Sequence, residues 1–367
     1  MKKTTEQKPR LLTGDTPTGK LHLGHWVGSL ENRVAMQRDY DCYFILANMH
    51  AFTTRASCPQ EIRQNVLDIT LDYLAAGIDP HLSTIFIQTE VPAIAELTFL
   101  FSMLVPYPRL MRNPTLKDEI RDKQLGDNYP FGFLLYPIGQ VADILAFRAQ
   151  VVPVGEDQLP LLELAREVAR RFNQLYCGVD PHTADENYVS AGGLFPLFQS
   201  KLGRTKRLVG LGGPGAHGQL LKMSKSLNNA IYLSDDNDTV YKKVMSIYTD
   251  PHRIRATDPG KVEENPLWIF HDAFNPDKDW VEETKMLYQQ GGVGDVVCKK
   301  KLVEVIIALL EPMHERRKLY SQDETSLLAI LREGTARANV LAEDTLKKVK
   351  QAIHQDYFLR EFILKDR

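Results

Sequence analysis

Two ammonium groups stand three residues apart in "KMSKS", residues 222–226, directly after "LGGPGAHGQLL", which holds four glycines and a proline. Cations at the end of so flexible a lead-in suit an anion that arrives, changes charge and leaves. A second stretch with chemical potential is "TGDTPTGKLHLGH", residues 13–25. It joins a strand-like run to a helix-like one, where a helix N-terminus and small residues can cradle phosphate. Gly14, Gly19 and Gly24 let backbone approach a nucleotide, and His22 and His25, one helical turn apart, can each donate a hydrogen bond to a phosphate oxygen. The pattern is neither G-x-G-x-x-G nor G-x-x-x-x-G-K-S, so a dinucleotide fingerprint or a P-loop is disfavoured. Its bland alternatives are a glycine-rich turn bearing two surface histidines, or half a metal site. No cysteine or carboxylate stands at ligand spacing, and no metal ligand is expected.

These residues need a frame, and the chain supplies one. Three short runs read as strands: "RLLTG" (10–14), an apolar run ending in Gly, "CYFILANMH" (42–50), with the look of a strand buried on both faces, and "TIFIQTE" (84–90). A helix is expected from about Leu21 to Arg38. Another lies between the second and third runs: Ser57 and Gln60 read as a capping box, Pro59 sits in the first turn, and Ile62, Val66, Ile69 and Tyr73 share one face. Gly77 and Pro80 end it. The sheet resumes at "AQVVPV" (149–154) and leads into an amphipathic helix through "VPVGEDQ" (152–158), a strand end, a glycine turn and two carboxylates. The expected fold is therefore α/β: a doubly wound, Rossmann-type parallel sheet followed by an all-α C-terminal domain. The boundaries read as a flexible N-terminus (1–9), a catalytic domain (10–235) with a helical insertion at about 92–145 and the lysine loop at 212–226, and a helical domain (236–367). No strand is expected beyond about residue 235.

At 367 residues with 43% apolar and 25% charged residues, the composition is that of an ordinary globular protein with two or three domains. The net charge of −2 argues against wholesale nucleic-acid coating, so any polyanion must meet a local patch. Cys42, Cys58, Cys177 and Cys298 are scattered, with no C-x-x-C pair, and neither a signal peptide nor a membrane-length apolar run is visible. A cytoplasmic location is expected.

The histidine turn and the lysine pentapeptide, in this order and about 200 residues apart around a parallel-sheet pattern, resemble the HIGH and KMSKS signatures of the class I aminoacyl-tRNA synthetases. The "VPVGEDQ" loop, with "GIDP", "RRFN" and the late "EGTARAN", is similar to the tryptophanyl branch of that family, and in particular to its divergent second bacterial type. The resemblance runs from about residue 10 to the C-terminus. It implies that ATP meets Thr16, Pro17, Thr18, Gly24 and His25, then Gly155, Glu156 and Asp157, then Leu208 and Lys222, Met223, Ser224, Lys225 and Ser226. His22, His25, Lys222 and Lys225 would carry catalysis, with Mg2+ bridging phosphate oxygens.

The resemblance places Asp143 against the indole N–H of L-tryptophan, a donor that needs an acceptor; the alternative is an acid on a helix surface. Tyr136, Gln140 and Gln158 become candidates for the substrate ammonium. His50, read as ending the second strand, either lines the pocket or packs as an ordinary histidine. Tyr136-x-x-x-Gln140-x-x-Asp143 also resembles the tyrosyl branch, but Leu12 stands where those enzymes carry a second phenol-binding tyrosine, and an apolar residue there suits indole. The family further implies tRNA(Trp) as partner, an anticodon-reading C-terminal domain and a homodimer. Candidate phosphate contacts are Lys299, Lys300 and Lys301, then Arg316, Arg317 and Lys318, then Lys347, Lys348 and Lys350; the alternative for each cluster, and the usual one for charge runs on helices, is a solvated face. Alternatives are tyrosyl-tRNA synthesis and an adenylating or regulatory paralogue that charges no tRNA.

Overall fold

The computed structural model describes residues 8–358 apart from 123–124, 127, 204–207, 216–217, 226, 251–252 and 256. Ser226, a candidate ATP contact, thus lies outside the described residues. Five parallel strands form the sheet: β1 (Arg10–Asp15), β2 (Asp41–Leu46), β3 (Ser83–Ile87), β4 (Val151–Val154) and β5 (Gln199–Leu202), in the order β3-β2-β1-β4-β5. Strand order reverses beside β1, so a crevice opens at the carboxyl ends of β1 and β4, where such sheets bind ligands. Successive side chains on a strand point to opposite faces, and two cores follow. Leu11, Phe44 and Ile85 pack with the Pro59–Ala76 and Asp295–Ser321 helices; Leu12, Tyr43 and Phe86 pack with Phe131–Ala146, Leu159–Cys177 and Glu324–Ala352.

The doubly wound sheet is as expected, and its details differ in instructive ways. Ile62, Val66, Ile69 and Tyr73 are buried, and Gly77 ends their helix at φ 110°. The Ser57–Gln60 capping box is absent: Cys58 takes the cap position, which puts Ser57 outside the helix, and makes no side-chain cap hydrogen bond. The apolar run from Cys42 is not one strand to His50. It stops at Leu46, and the chain turns into the Asn48–Arg55 helix because Asn48 trades two hydrogen bonds with Thr89 (2.8 and 3.0 Å). His50 therefore sits in a helical first turn. The helix expected over 21–38 starts at Leu23 and carries a π-turn over Trp26–Leu30 before Glu31–Met36. The insertion is helical: Pro92–Ser102, Tyr107–Met111, Pro114–Asp122 and Phe131–Ala146. Among the described residues no strand follows Lys222, and no helix is long and apolar enough to cross a membrane.

The C-terminal helices lean on the sheet. Thr335 accepts the Ile87 N–H (3.3 Å) and Asn339 donates to the Glu90 carbonyl (2.8 Å), fastening Glu324–Ala352 along β3. Most of the cations read as phosphate contacts are tied down here. Lys299 is buried and donates to the Met245 carbonyl (3.0 Å), Arg316 donates to the Ala75 carbonyl (2.6 Å), Arg317 pairs with Asp72, and Lys350 pairs with Glu96. Lys301, Lys318 and Lys348 pair with Glu304, Glu315 and Asp344 on their own helices. Asp72 is fully buried, so truncating its partner would strand a buried carboxylate. Arg317→Ala should lower stability by about 3–5 kcal/mol in denaturant unfolding, whereas a mere surface cation would change it by under about 0.5 kcal/mol.

Candidate active site

The turn after β1 is built to present nitrogen donors. His22 caps the short helix Leu23–His25: its Nδ1 accepts the Gly24 N–H (3.1 Å), while His25 Nδ1 accepts the His22 N–H (3.1 Å). With both Nδ1 atoms accepting, each neutral ring must carry its proton on Nε2, a free donor. Burial, then the neighbouring His25 and the lysines of the pentapeptide, push the His22 pKa down to about 2. Burial likewise brings His25 to about 4. The pair therefore acts as neutral donors, not as cations. Behind it, Asp15 accepts from Arg33 (2.6 Å) and from the Tyr73 hydroxyl (2.6 Å); burial opposes its ionisation, and Arg33, His25 and the Tyr73 hydroxyl together outweigh burial and hold the acid ionised. Thr16 and Thr18 form the tight turn (2.8 Å, N–H to carbonyl), and Asn65 donates to the Pro17 carbonyl (3.3 Å).

The glycine-rich lead-in is not the floppy segment its composition suggests. Its described residues form an antiparallel ribbon of β6 (Val209–Pro214) and β7 (Leu220–Lys222), with the Gly215 N–H on the Gln219 carbonyl (2.8 Å). Gly213 is required for packing: a Cβ there would lie 2.3 Å from the Tyr248 ring. Leu208 and Met223 turn their side chains into the core and are joined by the Met223 N–H to Leu208 carbonyl bond (3.1 Å). Ser224 and Lys222 are latched by Asn229, which accepts the Ser224 N–H (2.7 Å) and donates to the Lys222 carbonyl (3.2 Å). Residues 231–233 then run beside the histidine turn, with Leu23 N–H on the Ile231 carbonyl (2.9 Å) and Leu233 N–H on the Leu21 carbonyl (3.0 Å). Lys225 completes the closure: its Nζ donates to the Gly19 carbonyl at 2.6 Å. Burial lowers its pKa to about 8. The two signatures, 200 residues apart in sequence, meet atom to atom.

The third loop follows β4 across the crevice. Gly155 begins a single 3-10 turn over Glu156–Gln158, closed by the Gln158 N–H on the Gly155 carbonyl (3.1 Å). Thr115 of the insertion donates to the Asp157 carbonyl (3.0 Å), and Gln158 donates to the Asp157 carboxylate (3.1 Å).

A buried polar cluster lies on the Leu12 side of the sheet. Asp143 is 4% exposed, which removes the helix-surface reading. Gln88, at the carboxyl end of β3, donates to both oxygens of Asp143 (2.8 and 3.1 Å) and to His50 Nε2 (3.1 Å). His50 Nε2 is itself 3.7 Å from Asp143. The close approach needs Gly139, where a Cβ would lie 2.8 Å from His50 Nε2. Burial raises the Asp143 pKa to about 8 against the lowering effect of Gln88, and lowers that of His50 to about 4. Leu12 and Tyr136 are buried in the same core, with the Tyr136 ring 6.2 Å from the His50 ring; Gln140 is half-buried one turn before Asp143. Sequence reasoning missed Gln88, although a glutamine closing the apolar run "TIFIQ" at the sheet's carboxyl edge was a visible signal.

Residues 3–311 match the family described as tRNA synthetases class I (W and Y). The chain belongs to this family. Within it, the chain is similar to the tryptophan–tRNA ligase of Clostridium longisporum, 46% identical over 353 residues that span 96% of this chain and 98% of that protein. It is equally similar to that of Streptococcus pneumoniae, 47% identical over 356 residues, 96% of this chain and 99% of the other. Among solved structures, the tryptophanyl-tRNA synthetase of Campylobacter jejuni complexed with ADP and tryptophan superposes with a TM-score of 0.77 at 28% identity, covering 94% of this chain and 99% of that one. A tyrosyl-tRNA synthetase from Archaeoglobus fulgidus shares the fold at a TM-score of 0.61 and 20% identity, over 85% of this chain and 91% of the other.

Proposed function

We propose that this class I synthetase is a tryptophan–tRNA ligase that activates L-tryptophan with ATP, releases pyrophosphate, and passes the acyl group to tRNA(Trp). The observation that carries the reading is the Lys225–Gly19 contact (2.6 Å), which sets the lysine pentapeptide and the histidine turn against each other at the sheet's crevice. The tryptophan carboxylate attacks the α-phosphorus and no enzyme nucleophile is needed. Rate comes from alignment and from donors fixed in advance where charge develops. Nε2–H of His22 and His25 serve the phosphate chain, Lys225 and Lys222 the departing pyrophosphate. Thr16, Pro17, Thr18 and Gly24 border the nucleotide on one wall of the crevice, Gly155, Glu156 and Asp157 on the other. Leu208 and Met223 hold the loop from the core.

Asp143 accepts the indole N–H beside Leu12, with Tyr136, Gln140 and Gln158 toward the ammonium. Mg2+ is expected to travel with the triphosphate. It is ordinarily held by phosphate oxygens, water and one or two carboxylates, and among the described residues no three His, Cys, Asp or Glu side chains gather as a cage. No residue of the chain is assigned to it.

The helical region 236–367 is assigned to the anticodon arm, with exposed Lys300 and Lys347 left for tRNA phosphates. Phe99, Met103, Tyr107 and Phe131, each at least 64% exposed on the insertion, give a homodimer an apolar face to bury. A cytoplasmic location accords with this activity. ATP–pyrophosphate exchange with each of the twenty amino acids, followed by charging of purified tRNA, tests the reading. Exchange is expected with tryptophan and charging with tRNA(Trp); a preference for tyrosine, or exchange without charging, contradicts it.

A further inference from the structure

Gln88 is 1% exposed and makes four hydrogen bonds, and these leave it no freedom. Its Oε1 accepts the Met49 N–H (3.1 Å), which fixes which end of the amide faces the cluster. Nε2 then has two hydrogens: one is shared between the oxygens of Asp143 and the other points at His50 Nε2 (3.1 Å). Since a donor faces it, His50 Nε2 must be the bare nitrogen, and the ring proton sits on Nδ1, across the ring from Asp143. With Asp143 ionised, the state an indole N–H selects, the cluster offers an approaching ring acceptors and no donor: two carboxylate oxygens with unused lone pairs, beside an imidazole nitrogen whose one lone pair Gln88 already fills and an amide with both hydrogens committed. Indole brings one donor and no acceptor. A phenol brings a donor and an oxygen that must also accept, and neither Gln88 nor the facing nitrogen of His50 has a hydrogen to give it.

We propose that Gln88 is a specificity-determining residue for the amino-acid substrate: by committing both amide hydrogens to Asp143 and His50 it keeps the ring end of the pocket acceptor-only, so that an N–H ring is taken and a phenol refused. It acts through Asp143 and His50 and is a positioning residue. The inference rests on the tryptophan-activation reading above. It explains how a chain carrying Gln140, the residue shared with the tyrosyl pattern, still separates the two substrates. Removing Gln88 would free His50 to carry its proton on Nε2 and so supply the donor that a phenol lacks.

The test is ATP–pyrophosphate exchange on the full-length protein with tryptophan and with tyrosine, for the natural chain, Gln88→Met, Gln88→Leu and Gln88→Met/His50→Phe. In Gln88→Met the tryptophan KM should rise about 10- to 100-fold with kcat and the ATP KM within threefold. The tryptophan-over-tyrosine ratio of kcat/KM should fall at least tenfold, the order expected when one polar partner decides between substrates. Adding His50→Phe deletes the liberated donor and should restore most of the ratio, which a purely structural role would not do. Should Gln88→Met fail to fold, Gln88→Leu, which likewise lacks the donor, must shift the ratio in the same direction. A ratio within twofold of the natural protein's in a folded Gln88 variant overturns the inference while leaving the function standing. If the natural protein itself fails to exchange with tryptophan, it is the functional reading that falls.

Discussion

Lys225→Ala is expected to slow tryptophan-dependent ATP–pyrophosphate exchange by about 10²–10³-fold, the usual loss when one preorganised charge partner of a transition state is removed. Tryptophan binding should remain within twofold. The basis is geometric: Nζ of Lys225 is held 2.6 Å from the Gly19 carbonyl, in the turn that presents His22 and His25. The ammonium is thus placed before ATP arrives, and little reorganisation is left for the reaction. The fold should not suffer. Burial lowers the Lys225 pKa to about 8 from an ordinary 10.5, so the folded state disfavours the charged form that the unfolded chain holds freely. Between pH 8 and 10.5 the unfolded chain binds more protons; below pH 8 the full penalty for the buried charge is present, and alanine removes it. The same shift sets a pH limb. kcat/KM for ATP, which reports the free enzyme, should decline as pH rises through about 8 and the lysine loses its proton. Lys225→Arg, charged throughout, should keep part of the rate and lose the limb. Equal exchange rates in Lys225→Ala and the natural protein would remove the loop from the chemistry.

Asp143→Ala should raise the tryptophan KM by about 100-fold or more while moving the ATP KM less than threefold. An indole N–H can be satisfied only by an acceptor, and a donor left unpaired in an apolar pocket costs about 1–3 kcal/mol, more where the lost acceptor is charged. Burial raises the free Asp143 to about 8, so near neutral pH most molecules carry it protonated. Indole binding selects the ionised form. Tryptophan affinity measured by equilibrium dialysis should therefore strengthen with pH, approaching tenfold per unit well below 8, and level off above it. Asp143→Asn cannot ionise and should show a flat profile. Together with the opposing Lys225 limb this places the exchange optimum near pH 8. A tryptophan KM unmoved in Asp143→Ala would take that residue out of the pocket.

Local pattern carried much of this molecule into view. Strands such as β1 and β3 are short apolar runs ended by turn residues, and the face of Ile62, Val66, Ile69 and Tyr73 needs only helical spacing to be recognised. What stayed hidden depends on partners distant in sequence. The Asn48–Thr89 exchange cuts the second strand short and moves His50 into a helix, a choice that "CYFILANMH" alone does not encode. In the ribbon before the lysine pentapeptide, Gly213 is needed because backbone passes the Tyr248 ring closely, which composition alone reads as flexibility. Charge runs misled for the same reason: Lys299 and Arg317 look like a solvent-facing basic patch until the buried carbonyl and the buried Asp72 that hold them are in place. Asp143 was identifiable by its motif, whereas the position of Gln88 at the end of "TIFIQ" hints at the crevice and its partners emerge only when β3 and the Phe131–Ala146 helix are brought together.

The central claim is that the histidine turn and the lysine pentapeptide hold one nucleotide between them. A crystal structure with a non-hydrolysable ATP analogue and tryptophan tests it most directly. The account predicts the phosphate chain within hydrogen-bond distance of Nε2 of His22 or His25 on one side and of Nζ of Lys225 on the other, with the adenosine between the Thr16–Thr18 turn and Gly155–Asp157. A triphosphate seated away from either segment would contradict it.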